Sequence, residues 1–161
     1  MMELEILKKQ IDLSDHEWKN ISSTNCYAFS LGLDIPQDEI CDSAYYVGHI
    51  YRYFNNVKPK YMPRDLLLRY DFTTLDLLYR ESSIVEKIAA GEWKIAYFDS
   101  IYECGFHFFR QTENGIWWHK YDYNYAPTCL DNDNRIITDP TNCNVNLRGL
   151  ELKKCYILKR K

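Results

Sequence analysis

The chain has 161 residues, a length that suits one compact domain with a hydrophobic core of its own. It carries 20 basic and 23 acidic side chains, a net charge of −3, and no basic stripe that would indicate a nucleic-acid partner. No stretch approaches the roughly 18 apolar residues of a membrane-spanning helix, so no membrane span is predicted.

The 6 cysteines are widely spread, and neither C-x2-C nor H-x3-H spacing occurs, so we predict no metal and no cofactor. The N-terminus is charged rather than apolar, which predicts a cytoplasmic, reducing location with free thiols. Delivery as an effector or toxin by another route is compatible with the sequence, which gives no indication of oligomeric state. We divide the chain into an N-terminal arm or helix over residues 1–20 and a single domain over residues 21–161.

The first half of the chain has helical signals. Ser22-Ser23-Thr24-Asn25 offers N-cap residues directly before Cys26, which predicts a helix that contains Cys26 in its first turn and ends at Gly32. Apolar residues at spacings of three and four predict two more helices, over residues 65–70 and 74–90.

The second half has the signals of strands. Asn114-Gly115 is the strongest short-range indication of a hairpin, and it lies between two of the predicted strands. Helices followed by an antiparallel sheet define an α+β domain. The strands are predicted at residues 94–98, 106–110, 116–121, 135–138 and 155–158.

Cys26 is the candidate nucleophile. Unpaired N–H groups and the dipole at a helix start favour thiolate over thiol, and the same groups can stabilise the oxyanion of a tetrahedral intermediate. A thiol nucleophile also needs a base, and a histidine on a rigid strand can supply one. His107 and His119 lie on the two strands of the predicted hairpin, which favours them over His16 and His49.

Four segments of the chain, taken in order, resemble the NlpC-type superfamily of papain-like enzymes, which uses a Cys-His-His triad. The likeness extends over residues 22–158 and is strongest to a bacterial and viral branch with an Asn-Cys-Tyr-Ala start, whereas the more common start is Asp-Cys-Ser-Gly. The segments are Asn25-Cys26-Tyr27-Ala28-Phe29, Phe106-His107-Phe108-Phe109-Arg110-Gln111, Gly115-Ile116-Trp117-Trp118-His119-Lys120 and Ile137-Thr138-Asp139-Pro140.

The resemblance implies a papain-like fold in which Cys26 is the nucleophile, His107 the general acid and base, and His119 the residue that orients His107. For the oxyanion hole it implies the N–H of Cys26, together with Asn20 as a side-chain donor. These roles imply a peptide or protein substrate.

The register of the hairpin leaves two candidates for the orienting residue. A two-residue turn at Asn114-Gly115 would bring Asp122 opposite His107, whereas a longer, bulged loop would bring His119 there instead. Asp122 is therefore the alternative to His119.

Three functions fit these residues. The first is a cysteine hydrolase that cleaves a peptide, isopeptide or related amide bond through an acyl-enzyme. The second is an acyltransferase on the same fold, with an amine in place of water. The third is a binding module that has no catalytic activity and whose histidines are structural.

Overall fold

The computed structural model describes residues 3–12, 24–33, 46–58, 60–100, 105–121 and 125–161. These residues form four helices and five strands, a mixed α+β fold that confirms the predicted class. In chain order they are α1 (Leu4–Asp12), α2 (Cys26–Leu31), α3 (His49–Asn55), α4 (Arg64–Thr74), β1 (Leu77–Ser82), β2 (Glu92–Asp99), β3 (Phe106–Gln111), β4 (Trp117–His119) and β5 (Glu151–Arg160).

The strands form one antiparallel sheet in the order β1-β5-β2-β3-β4. The helices pack on one face of this sheet. Strand residues alternate between the two faces, so every second residue of a strand points towards the helices. Tyr97 and Phe108 of β2 and β3 join the buried residues of the helices, among them Leu68 and Phe72. We call this cluster the helix-side core.

A second cluster, the far-side core, covers the opposite face of the sheet. It is built from the alternate residues of the same strands and from the segment that follows β4. Its buried members are Ala96, Phe98, Phe109, Trp117, Ile137, Val145 and Cys155.

Helix α2 begins and ends where the sequence predicts. Asn25 is its N-cap, with the side-chain oxygen accepting a hydrogen bond from Ala28 N at 2.9 Å. Gly32 ends the helix at φ 81°, a left-handed conformation that glycine adopts without strain. All six helical residues are buried. The helix is thus fixed at both ends and surrounded by the core.

The predicted helix over residues 74–90 is wrong. Helix α4 ends at Thr74, Asp76 takes a positive φ of 56°, and Leu77–Ser82 pair with β5 as an edge strand. Two of the apolar residues that suggested a buried helical face, Leu78 and Val85, are 49% and 85% exposed. Tertiary pairing with the ten-residue β5 prevails here over local helical spacing.

Other predicted elements fare differently. Strands β2, β3 and β5 confirm the predictions at residues 94–98, 106–110 and 155–158, and β4 is shorter than predicted. The strand predicted over residues 135–138 is wrong, since Ile136 forms only an isolated bridge with Leu130. Near the N-terminus, Leu7 and Ile11 of α1 are buried in the helix-side core. No helix within the described ranges is long and apolar enough to cross a membrane.

Candidate active site

Neighbouring strands of the sheet bring the two histidines together. His107 is on β3 and His119 on β4, and the distance from His107 Nε2 to His119 Nδ1 is 2.9 Å. Both side chains are buried, with exposed fractions of 7% and 0%. The imidazole rings meet nearly at right angles, 82°, which suits a hydrogen bond along the edge of each ring.

Neither predicted hairpin register is correct. Phe109 lies opposite His119, and Gln111 lies opposite Trp117. The connection between them, residues 112–116, is longer than a two-residue turn and is closed by a hydrogen bond from Thr112 N to Ile116 O. His119 is therefore diagonal to His107 on the same face of the sheet, rather than directly opposite it.

Aromatic rings surround the histidine pair. The ring of Phe109 stacks on His119 at 4.9 Å between centroids and contacts the edge of His107. Tyr121 lies 4.5 Å from the His119 ring and 6.4 Å from the His107 ring. We did not identify Tyr121 from the sequence; its position two residues after His119, on the same side of an extended segment, is the signal that could have found it.

Burial disfavours the charged form of both imidazoles. It is the main cause that lowers the pKa of His107 well below its usual value of 6.5, and repulsion from His119 adds to the effect. Burial likewise lowers the pKa of His119. Both rings are therefore neutral at pH 7, so the hydrogen between Nε2 of His107 and Nδ1 of His119 belongs to only one of them.

The second nitrogen of His119 has no hydrogen-bond partner among the described residues. Its Nε2 is buried, and so is the equally unpartnered Nε1 of Trp117, two residues earlier on the same face. Buried polar atoms are nearly always paired in folded proteins, so such atoms need an explanation. Nε2 is either a hydrogen-bond donor or an acceptor, depending on the tautomer, and it is the end of a short chain of imidazole nitrogens that starts at His107.

Cys26 is the first residue of helix α2, and its side chain is 7% exposed and not part of a disulfide. The helix packs against β3 and β4 and runs alongside β3. Its start lies at the Phe106 end, where Tyr27 contacts Phe106 and Phe108. Its other end lies near Arg110, since the Arg110 guanidinium donates to Ser30 O at 3.5 Å. Cys26 and His107 are therefore at the same end of β3.

The two halves of the candidate site lie on different faces of the sheet. Phe106 and Phe108 face the helix-side core, to which Cys26 belongs, whereas His107 contacts Phe109 of the far-side core. The face of β3 that contacts Tyr27 is therefore not the face that carries the His107 ring.

A buried carboxylate fixes the start of the Cys26 helix. Asp71 accepts hydrogen bonds from Tyr27 Oη at 2.6 Å, Gly48 N at 2.6 Å and Tyr51 N at 2.8 Å. It thus joins α2, α3 and α4 at one point. Burial raises the pKa of Asp71 to about 6, although the three donors favour its charged form. Asp71 was not identified from the sequence, because nothing local relates it to Tyr27, 44 residues away.

Two predicted candidates, Asn20 and Asp122, lie outside the described residues. Within the described part of the chain, no group of three histidine, cysteine or carboxylate side chains is placed to hold a metal ion. Comparison of the chain with protein-family models, curated proteins and solved structures gives no match. The resemblance to NlpC-type enzymes therefore stays a prediction from the sequence segments.

Proposed function

We propose that the chain is a papain-like cysteine hydrolase that cleaves an amide bond through an acyl-enzyme, with Cys26 as nucleophile, His107 as base and His119 as orienting residue. One observation carries the proposal: the hydrogen bond between His107 Nε2 and His119 Nδ1, on the two strands against which helix α2 packs. A nucleophile, a base and a residue that orients the base are the parts that such chemistry requires.

The hydrogen bond leaves the right atom of His107 available. When His107 Nε2 donates to His119 Nδ1, the lone pair of His107 lies on Nδ1, which can accept the thiol proton of Cys26. His119 is then protonated at its own Nε2. Because both imidazoles are buried and neutral, a thiolate at Cys26 would in turn stabilise the protonated form of His107, and the two groups would titrate as a pair.

The reaction then balances in two halves. The Cys26 sulfur attacks the carbonyl carbon as its proton passes to His107, and the Cys26 N–H, outside the intrahelical ladder, donates to the oxyanion. His107 gives that proton to the leaving amine as the C–N bond breaks. Water then attacks the thioester while His107 takes its proton, and the acid leaves as the thiol is restored.

A binding module is the second candidate, and the placement of the histidines favours it. His107 and His119 contact the far-side core, whereas Cys26 lies in the helix-side core. In such a module the two rings, which burial keeps neutral, are structural and take part in no reaction. In that case the Cys26 thiol has ordinary reactivity.

Alkylation by iodoacetamide across a pH series separates the two candidates, with each cysteine followed by mass spectrometry. The hydrolase predicts that the rate at Cys26 follows an apparent pKa below the ordinary value of about 8.5. Cys143 and Cys155 are internal controls, because burial raises the pKa of each to about 11. A Cys26 rate that follows the ordinary value would support the binding module.

Acylation by a p-nitrophenyl ester provides a second measurement. The hydrolase should release one equivalent of p-nitrophenolate in a burst and gain the acyl mass on the peptide that contains Cys26. Cys26→Ala should abolish both signals, and Cys129→Ala, at a partly exposed free thiol, is the matched control. A burst that survives in Cys26→Ala would exclude Cys26 as the nucleophile.

A further inference from the structure

A cleft of about 760 Å³ opens beside His107. Aromatic and amide side chains form one wall, where Tyr121 and Tyr125 lie near Asn132, and the Tyr121 hydroxyl donates to Asn132 Oδ1 at 3.0 Å. The cleft is also lined by residues of the segment just before β5, namely Val145, Asn146, Leu147, Arg148 and Leu150. A cleft of this volume, with a few polar groups and aromatic rings, is typical of a ligand site.

Hydrogen bonds of the preceding residue, Asp131, fix the backbone around Asn132. Asp131, directly before it, accepts hydrogen bonds from three backbone N–H groups, those of Asp133, Arg135 and Asn144. Asn132 N also donates to Asn144 O at 2.8 Å. The Asp131 carboxylate is therefore occupied by backbone donors, and the wall that faces the cleft is ordered before any ligand binds.

Arg148 supplies the positive charge of this cleft. Among the described residues that line it, none is a carboxylate, and His107 is neutral because of its burial. A guanidinium with its five N–H donors in a planar fork matches a carboxylate in two parallel hydrogen bonds. The described lining of the cleft thus combines this one arginine with tyrosine rings that can pack on the rest of a ligand.

The backbone holds Arg148 in an unfavourable conformation. Its φ is 51°, in the left-handed region that residues other than Gly, Asn and Asp rarely adopt. Gly149 follows at φ 80°. Asn146 Oδ1 accepts a hydrogen bond from Arg148 N at 3.2 Å and fixes this turn. Strained residues of this kind concentrate at ligand sites, where the strain serves to position a side chain.

We infer that Arg148 is a specificity-determining residue that binds a carboxylate of the substrate, so that the chain prefers peptides with an acidic residue at the scissile bond. This inference rests on the proposed function, since His107 in the same cleft would be the base of the reaction. The tyrosines pack on the aliphatic part of that residue, and the guanidinium pairs with its carboxylate.

Two peptidyl chloromethyl ketones, identical except for Glu or Gln next to the reactive carbon, test the inference. The Cys26 sulfur displaces chloride from the methylene carbon, and intact mass gives the rate of labelling. We expect wild type to react at least ten times faster with the Glu probe. Arg148→Gln should abolish that preference because it removes the positive charge, and Arg148→Lys should keep part of it because it retains the charge. The two variants are comparable because each keeps a side chain that strains the turn equally.

Arg135→Gln is the control, because Arg135 is exposed on the neighbouring turn and does not line the cleft. It should keep the full preference, and in wild type the preference should weaken with added salt, as for an exposed ion pair.

Circular dichroism confirms that each variant folds. Equal rates for the two probes in wild type, or a preference that survives Arg148→Gln, would overturn the inference while leaving the hydrolase intact. Failure of both probes to label Cys26 would overturn the hydrolase itself.

Discussion

The two faces of the sheet bury their polar groups in opposite ways. On the helix side, Asp71 accepts three hydrogen bonds from three different helical or pre-helical positions. On the far side, His107 and His119 share one hydrogen bond, and His119 Nε2 has no further partner among the described residues. A fully paired buried group holds a fold together, whereas a buried group with an open position is suited to a ligand or a proton.

The predictions that follow test this contrast, and the largest effect is expected on the far side. His107→Gln removes the proposed base and keeps a side chain that can still bind His119. Acylation of Cys26 by the p-nitrophenyl ester should slow about 10³-fold at pH 7, the size of a typical general-base contribution. The free energy of unfolding should change by less than about 1 kcal/mol, because an uncharged glutamine that can form hydrogen bonds replaces an uncharged histidine.

His49→Gln is the matched control for that variant. His49 is on α3, stacked on Tyr53 and away from the cleft. It should leave the acylation rate unchanged. If His107→Gln reacts as fast as wild type, the imidazole is not the base, and the far-side pair belongs to the fold in the same way as Asp71.

The second prediction concerns the helix side. Asp71→Ala leaves the Tyr27 hydroxyl and the N–H groups of Gly48 and Tyr51 buried without their acceptor. We expect the free energy of unfolding to fall by about 3 kcal/mol, measured by urea denaturation. Tyr27→Phe removes one of the three donors and should cost about 1 kcal/mol. A loss in Asp71→Ala no larger than that in Tyr27→Phe would contradict the central role of the carboxylate.

The third prediction separates the two faces by the sign of their pH dependence. The folded-state pKa of each histidine is lowered, so below about pH 6.5 the unfolded chain binds more protons, and stability falls as the pH falls. Asp71 has a raised pKa of about 6 against an ordinary 3.8, so between these values the folded state binds more protons and stability falls as the pH rises. Each group contributes a slope of at most about 1.4 kcal/mol per pH unit.

Urea denaturation at several pH values between 4 and 7, as rough limits of these windows, measures the slopes. Relative to wild type, His119→Gln should lose less stability on acidification, because it lacks the histidine whose pKa is lowered by burial in the folded state. Asp71→Asn should lose more, because the opposing contribution is removed. Identical slopes in the two variants and in wild type would show that neither face titrates as described.

The sequence predicted the α+β class, helix α2 with its caps and three of the strands, because these depend on local signals such as N-cap residues, short runs of apolar and aromatic residues and the Asn-Gly turn. It did not predict β1, where pairing with β5 decides the structure of residues with helical spacing. The histidines were predicted as a pair, but in neither hairpin register, because a turn of five residues has no unique sequence signal. The role of Asp71 depends on its contacts with Tyr27, Gly48 and Tyr51, which are distant in sequence, so no local pattern encodes it.

The smallest expected effect is at Asn25, the cap of the helix that begins with Cys26. Asn25→Ala removes the acceptor for Ala28 N and should lower the free energy of unfolding by about 1 kcal/mol. Asn25→Asp keeps an acceptor and should restore that stability.

The charge of Asn25→Asp, however, lies next to the Cys26 thiol and disfavours the thiolate, so alkylation by iodoacetamide at pH 7 should slow. Asn25→Ser, a neutral cap, should keep both stability and reactivity. If stability and reactivity rise and fall together across the three variants, the cap acts on the thiol only through the fold; if Asn25→Asp separates them, the local charge at the helix start controls the sulfur directly.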